Sequence, residues 1–234
     1  MAAPAAEHAR LQALAEQGGG DLIGAGPHEV LRWADVHFGP GLAIASSMAD
    51  AVLALLAAAA APRAKIIFLD TGYHFPETLG TQRAVAATLP LEVLVIRPQR
   101  TVEGQDADHG PRLYERDPDL CCTLRKVAPL ARALEPFSAW ASGVRREESD
   151  SRRDTRVIHW DGRRGMVKVN PLAHWTLSQV EDYIAANDIL VNPLVHDGYP
   201  SIGCAPCTRR VAPGADPRSG RWADLVKSEC GIHA

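Results

Sequence analysis

No run in the sequence reaches the about 18 to 20 apolar residues that a membrane-spanning helix needs. The longest, "AVLALLAAAAAP" (51–62), is alanine-rich, stops at Pro62 and reads as a buried helix. The opening "MAAPAAEHARLQ" lacks the basic region and apolar block of a secretory signal, so a cytoplasmic protein is expected. Neither charge is in excess: 25 Lys and Arg against 28 Asp and Glu give a net charge of -3, so nothing draws the whole chain to nucleic acid or an anionic membrane. Five cysteines are too few for a disulfide scaffold. No internal repeat occurs, and no low-complexity tract beyond the alanines. What remains is 234 residues at 46% hydrophobic content, which excludes a disordered chain and suits one large α/β domain or two small ones.

Apolar spacing predicts helices at 5–16 and 28–38, with Pro27 at a first helical position and Gly39 as a stop. "GLAIASS" (41–47) reads as a buried strand whose Ser46 or Ser47 caps the helix that follows. "AKIIFLD" is a second strand ending at Asp70, 77–88 a helix, and "LEVLVIRP" a third strand. Residues 100–120 lack periodicity and read as a long polar loop. "SAWASG" and "MVKVNPL" are further strands, and "HWTLSQVEDYIAAND" is a helix capped by Thr176, with Gln179 closing a capping box. Strands alternating with helices predict an α/β fold, a mostly parallel sheet flanked by helices, followed from 196 by an irregular tail. Such a sheet binds ligands at the carboxyl ends of its strands, where "SS", "DTG" and "SGVRREES" all fall.

Four cysteines occur as two pairs, Cys121–Cys122 and the CxxC of Cys204 and Cys207. In a reducing compartment such pairs point to a metal centre more than to a redox dithiol, because the CxxC follows a late Gly-rich turn instead of opening a βαβ unit. Four thiolates suit zinc or a [4Fe-4S] cluster. Adjacent ligands diverge by about 100° on a helix, which favours the larger cluster over one small ion. Cys230, in "KSECGIHA", stands apart, either an incidental thiol or a mobile nucleophile.

Taken in order, "LDTGYHFPET", "CCTLRK", "GVRREES", "IGCAPCTRR", "RSGRW" and "ECGIH" resemble the assimilatory adenylyl-sulfate (APS) reductases, relatives of the phosphoadenylyl-sulfate (PAPS) reductases, from about residue 40 onward. The resemblance implies an adenine-nucleotide alpha-hydrolase-like (PP-loop) fold, divided as 1–40, a helical segment, 41–195, the nucleotide- and cluster-binding domain, and 196–234, a segment with the CxxC and a mobile catalytic tail. It implies reduction of APS to sulfite and AMP, with Cys230 as nucleophile, a [4Fe-4S] cluster on Cys121, Cys122, Cys204 and Cys207, and thioredoxin or a similar dithiol as donor. Lys126, Arg218, Arg221 and His233 match the family's residues around the phosphosulfate. Ser46, Ser47, Leu69, Asp70, Thr71, Gly72, Gly143, Arg145 and Arg146 match its nucleotide contacts. The family's first loop commonly reads as serines, glycine, then an acidic pair; here it is "SSMADAVL", without the glycine. No nucleic-acid or membrane partner is expected, and a homo-oligomer is. PAPS reduction or dual use, a tRNA-thiolating ATPase, and a zinc-stabilised nucleotide sensor without catalysis are the rival readings.

Overall fold

The computed structural model describes residues 2–223, 225, 227 and 229–232. Its strands are β1 (Leu42–Ala45), β2 (Lys65–Leu69), β3 (Val93–Ile96), β4 (Ala139–Ser142), β5 (Ile158–Asp161) and β6 (Met166–Val169). They form one sheet in the order β3-β2-β1-β4-β6-β5, parallel except for the edge strand β5. The inner strand β1 reads as an apolar run because helices and packed segments cover both faces of the sheet; buried Ser142 on β4 and Lys168 on β6 are polar exceptions. The helices are α1 (Ala2–Asp21), α2 (Pro27–Phe38), α3 (Val52–Ala60), α4 (Pro76–Thr88), α5 (Val102–His109), α6 (Leu113–Arg116), α7 (Pro118–Cys122), α8 (Ala128–Leu134) and α9 (Leu177–Asn187).

Alternation along the strands divides the core in two. Leu42, Ile44, Ile66, Phe68, Ala141 and Val169 face α1, α2, α3, α4 and α9, while Ala43, Ile67, Trp140 and Met166 face α8, with Ile232 of the tail packed beside them. Among the described residues no helix is long and apolar enough to cross a membrane.

Four features differ from the sequence expectations. The first helix continues to Asp21 through Gly18, Gly19 and Gly20. Gly18 lies against the Trp33 ring, and a methyl on Gly19 would stand 2.9 Å from the Ile158 carbonyl oxygen, so two of these glycines are there for close packing. The segment read as a loop at 100–120 folds into α5, α6 and α7. Thr101 Oγ1 accepts from Gly104 N at 3.1 Å to cap α5, and Asp117 Oδ1 accepts from Leu120 N at 2.9 Å to cap α7 ahead of Pro118. Neither serine caps α3; Asp50 Oδ1 accepts from Val52 N at 2.9 Å instead. Strand β5, paired antiparallel with β6 from Ile158↔Val169 to Asp161↔Met166, was not foreseen. The Thr176 capping box is as expected, with Thr176 Oγ1 accepting from Gln179 N at 3.2 Å and Gln179 Oε1 from Thr176 N at 2.9 Å.

Lys168 is buried inside the sheet on β6. Its Nζ donates to Ser142 Oγ at 2.6 Å and lies over the Trp140 ring, and Ser142 Oγ donates in turn to Asn170 Oδ1 at 3.2 Å. Burial holds its amine well below the ordinary lysine value.

Two measurements check these features. Gly19→Ala should lower stability by about 1 to 3 kcal/mol because a backbone carbonyl cannot step aside. Gly20→Ala, which meets nothing within 4 Å, should raise it by about 0.5 to 1 kcal/mol; urea unfolding of both variants reads the opposite signs. In the unfolded chain Lys168 keeps its proton up to about pH 10.4. The unfolded state therefore binds the extra proton, and stability rises with pH from the lowered folded value toward that point. Lys168→Met should flatten this rise when unfolding at about pH 7 and about pH 9.5 is compared with the parent chain.

Candidate active site

The four paired cysteines meet in one pocket. Cys121 and Cys122 close α7, and Cys204 and Cys207 flank a short turn; Tyr73, Arg125, Lys126 and Trp222 line the same space. After Cys122 the helix loosens into one π-turn, Thr123–Val127, before α8 resumes. That turn carries Arg125 into the interior, where Nε donates to Thr71 O at 2.6 Å and Nη1 to Arg100 O at 3.1 Å and Thr101 O at 3.3 Å. Thr71 reaches the second pair, its Oγ1 lying 3.3 Å from Cys204 Sγ, while Ala205 N donates to Tyr73 O at 2.7 Å. Backbone bonds from Trp222 N to Cys207 O at 3.1 Å and Arg209 N to Gly220 O at 2.8 Å bind the CxxC turn to the segment 218–222.

Burial pushes the Cys121 thiol up to about 12, with neighbouring Cys122, Cys204 and Cys207 adding to it, and the Cys207 thiol up to about 11. Bare, these thiols keep their protons; a metal centre would have to displace them. Among the described residues no three His, Cys, Asp or Glu side chains are gathered tightly enough for a single metal ion. The donor set nonetheless fits a polynuclear group, whose ligands stand farther apart. Among the described residues two buried donors, Trp222 Nε1 in the pocket lining and Arg221 Nε next to it in sequence, have no hydrogen-bond partner, and sulfur acceptors would supply one.

Lys126 lines the pocket and lies within electrostatic reach of Cys230. Burial opposes its ammonium, but its position beside Cys204 and Cys230 outweighs that and raises it above the ordinary value. Arg221 also lies within reach of Cys230; burial and the nearby Arg218 cation hold it below its ordinary value. The tail is docked on both sides of Cys230. Glu229 is bound by Arg152 and Arg218, and Arg164 Nη2 donates to Ile232 O at 2.9 Å. Lys227 pairs with Asp119.

The strand-end turns lie along the carboxyl rim. Ser46 is fixed by its amide to Ile67 O at 3.1 Å, and its Oγ accepts from Met48 N at 3.3 Å; Ser47 is exposed. Met48, standing near where the resembled family carries glycine, adopts the left-handed conformation (φ 60°), costing about 1 kcal/mol, yet is fully buried. Asp70 serves its own turn, Oδ1 accepting from Gly72 N at 3.2 Å, and pairs with Arg97 at 3.0 Å. Leu69 O accepts from His74 Nε2 at 2.7 Å. Gly72 needs its freedom at φ 76°. Gly143 does not: a methyl there would meet Leu172 and Leu53 at 3.7 and 3.8 Å, ordinary contact distances.

Arg145 stays with the rim, paired to Glu147 at 2.7 Å, whereas Arg146 turns away, its Nε to Thr155 O at 2.8 Å, into a groove lined by α1 and β5. Of the adjacent arginines at 152 and 153, Arg152 points inward to Glu229 and Arg153 pairs outward with exposed Asp150. His233 lies outside the described residues. Sequence reasoning missed Arg125 and Trp222 and could not choose between Arg152 and Arg153. The first two sit inside quoted motifs, but nothing in an arginine or tryptophan by itself announces burial beside sulfur.

Residues 40–210 match the sequence model of the phosphoadenosine phosphosulfate reductase domain. A Streptomyces coelicolor protein named adenosine 5'-phosphosulfate reductase is 52% identical over 95% of this chain and 94% of its own length. A protein of the same name from Mycolicibacterium smegmatis is 54% identical over the same shares. The crystal structure of phosphoadenylyl-sulfate (PAPS) reductase from Candida auris, a phosphate complex, superposes with a TM-score of 0.73 at 31% identity, covering 84% of this chain and 96% of that one. Candida glabrata FMN adenylyltransferase, at 13% identity and a TM-score of 0.55 over 90% of this chain and 71% of that one, shares the fold alone.

Arg125→Met keeps bulk but removes every donor, leaving three carbonyls without this partner. Stability should fall by about 2 to 3 kcal/mol, against less than about 0.5 kcal/mol for exposed Arg132→Met as control. Equal urea midpoints for the two variants would remove Arg125 from this role.

Proposed function

Because the chain belongs to the phosphoadenosine phosphosulfate reductase family, we propose that it reduces adenylyl sulfate to sulfite and AMP, with Cys230 as nucleophile and thioredoxin or a similar dithiol protein as donor. The observation that carries the reading is the docking of the tail on either side of Cys230, Glu229 on Arg152 and Arg218 and Ile232 O on Arg164, which sets Cys230 within electrostatic range of Lys126 and Arg221.

The chemistry asks little more than placed charge. The Cys230 thiolate attacks the sulfate sulfur, and the bond from sulfur to the phosphate oxygen breaks with its electron pair leaving on AMP. Lys126, Arg221 and Arg218 offset the repulsion between a thiolate and an anionic substrate, and the arginines can grip phosphate or sulfate oxygens in pairs. The rim residues Ser46, Ser47, Leu69, Thr71, Gly72, Gly143 and Arg145 are assigned to the nucleotide. Asp70, already committed to its turn and to Arg97, acts there by shaping the loop. Arg146, held by Thr155, is not assigned to the substrate.

The product on the protein is Cys230 S-sulfocysteine. A donor thiolate attacks its cysteine-side sulfur, sulfite leaves with the bonding pair, and the donor's second thiol resolves the mixed disulfide, so the donor is oxidised and Cys230 returns as a thiol. Cys121, Cys122, Cys204 and Cys207 would hold a [4Fe-4S] cluster. When bound, it would cross-link the two loops and place a charged body beside Lys126.

Anaerobic protein mixed with APS and no reductant should carry a sulfite adduct on Cys230 by mass spectrometry and contain iron without zinc. Cys230→Ser should lose at least about three orders of magnitude in kcat, and turnover of PAPS run in parallel should be far slower than that of APS. An unmodified Cys230, or full activity in the serine variant, would sink the reading.

A further inference from the structure

The tail does not rest on the protein through apolar contacts alone. Glu229, the residue before Cys230, receives two parallel hydrogen bonds from one guanidinium, Arg152 Nε to Oε1 at 2.7 Å and Arg152 Nη2 to Oε2 at 2.8 Å. Arg218 Nη2 lies 3.3 Å from the same carboxylate, and the Ser149 and Ser151 hydroxyls each lie 3.5 Å from Oε1. Arg152 is itself anchored, its Nη1 donating to Glu148 Oε2 at 2.5 Å. All four charged side chains are largely withdrawn from water, between 12% and 23% exposed. Burial would raise the Glu229 carboxyl, but Arg152 and Arg218 hold it below the usual carboxylate value.

We propose that Glu229 and Arg152 form a latch that holds the Cys230 segment closed over the site, which makes both of them positioning residues for the nucleophile. The inference rests on Cys230 being the nucleophile, but it concerns only where that thiol stands before any substrate arrives. The two ends of the contact lie 77 residues apart in sequence, so it fixes the tail to the β4–β5 connection and to nothing nearby in the chain. A bidentate arginine–carboxylate pair sets direction as well as proximity, which a single lysine contact cannot do. Arg218 belongs both to this carboxylate and to the residues assigned to the phosphosulfate. An arriving anion therefore competes for one of the latch's two cations while Arg152 keeps the other.

The test reads the tail without turnover. The full-length protein as purified is treated with N-ethylmaleimide without substrate or donor, and alkylation of Cys230 is followed on the tryptic peptide that begins after Lys227. Glu229→Gln and Arg152→Gln should each speed alkylation about tenfold, equivalent to about 1.4 kcal/mol of closure. The double variant should be no faster than either alone, since both remove one contact. Glu229→Asp, which keeps the charge, should fall between Glu229→Gln and the parent, and the urea midpoint of the whole domain should be unchanged in all four. Alkylation of Glu229→Gln at the parent rate would overturn the latch, as would rates that multiply in the double variant. Neither result would touch the assignment of Cys230 as nucleophile, which is read separately by the sulfite adduct.

Discussion

One buried guanidinium keeps the two halves of the cysteine pocket in register. Arg125 follows Cys122 by three residues and donates to the carbonyls of Thr71, Arg100 and Thr101, so the segment carrying the first pair is tied to the turn after β2. Thr71 in turn touches Cys204, and Tyr73 O receives Ala205 N, which ties the second pair to the same turn. Burying an arginine is unfavourable unless its donors are met; here Nε and Nη1 find the carbonyl oxygens of Thr71, Arg100 and Thr101, the last shared with Gln105 N. The π-turn at Thr123–Val127 belongs to the same constraint, because it lies between an α7 that ends in the cysteines and an α8 that must pack on the sheet.

The sheet supplies the second level of order. Parallel strands β1, β2 and β4 deliver their turns to one rim, and the loop after β1 is pinned by Ser46 to Ile67 O and by Asn192 Nδ2 to Met48 O at 3.2 Å. Met48 can hold a conformation natural to glycine because its side chain is buried and its carbonyl is bonded, which offset the backbone cost. Over the opposite face, Ile232 settles on the smaller core while charged contacts flank Cys230, so the described tail residues are placed by several separate contacts.

The inner strands, the Thr176 cap and the pairing of CC with CxxC were legible because each is a local pattern: an apolar run, a capping box, a spacing. The segment 100–120 was not, since its helices are short and capped one at a time by Thr101 and Asp117 and carry no sustained apolar stripe. The first helix runs past the expected residue 16 because packing of Gly18 against Trp33 and Gly19 against Ile158 outweighs the poor helix propensity of the glycines. β5 went unseen because its four residues, "IHWD", gain strand character only from the register with β6.

By itself the sequence determined the α/β alternation, the strand-end turns, the two thiol pairs and the lone cysteine near its end, because backbone propensity and residue chemistry act over a few neighbours. Tertiary structure alone decided which arginine faces inward, Arg152 over Arg153, which one leaves the rim, Arg146, and which is buried, Arg125. Adjacent arginines are alike in sequence; what separates them is which carboxylates and carbonyls, brought from many residues away, happen to stand within reach once the chain is folded.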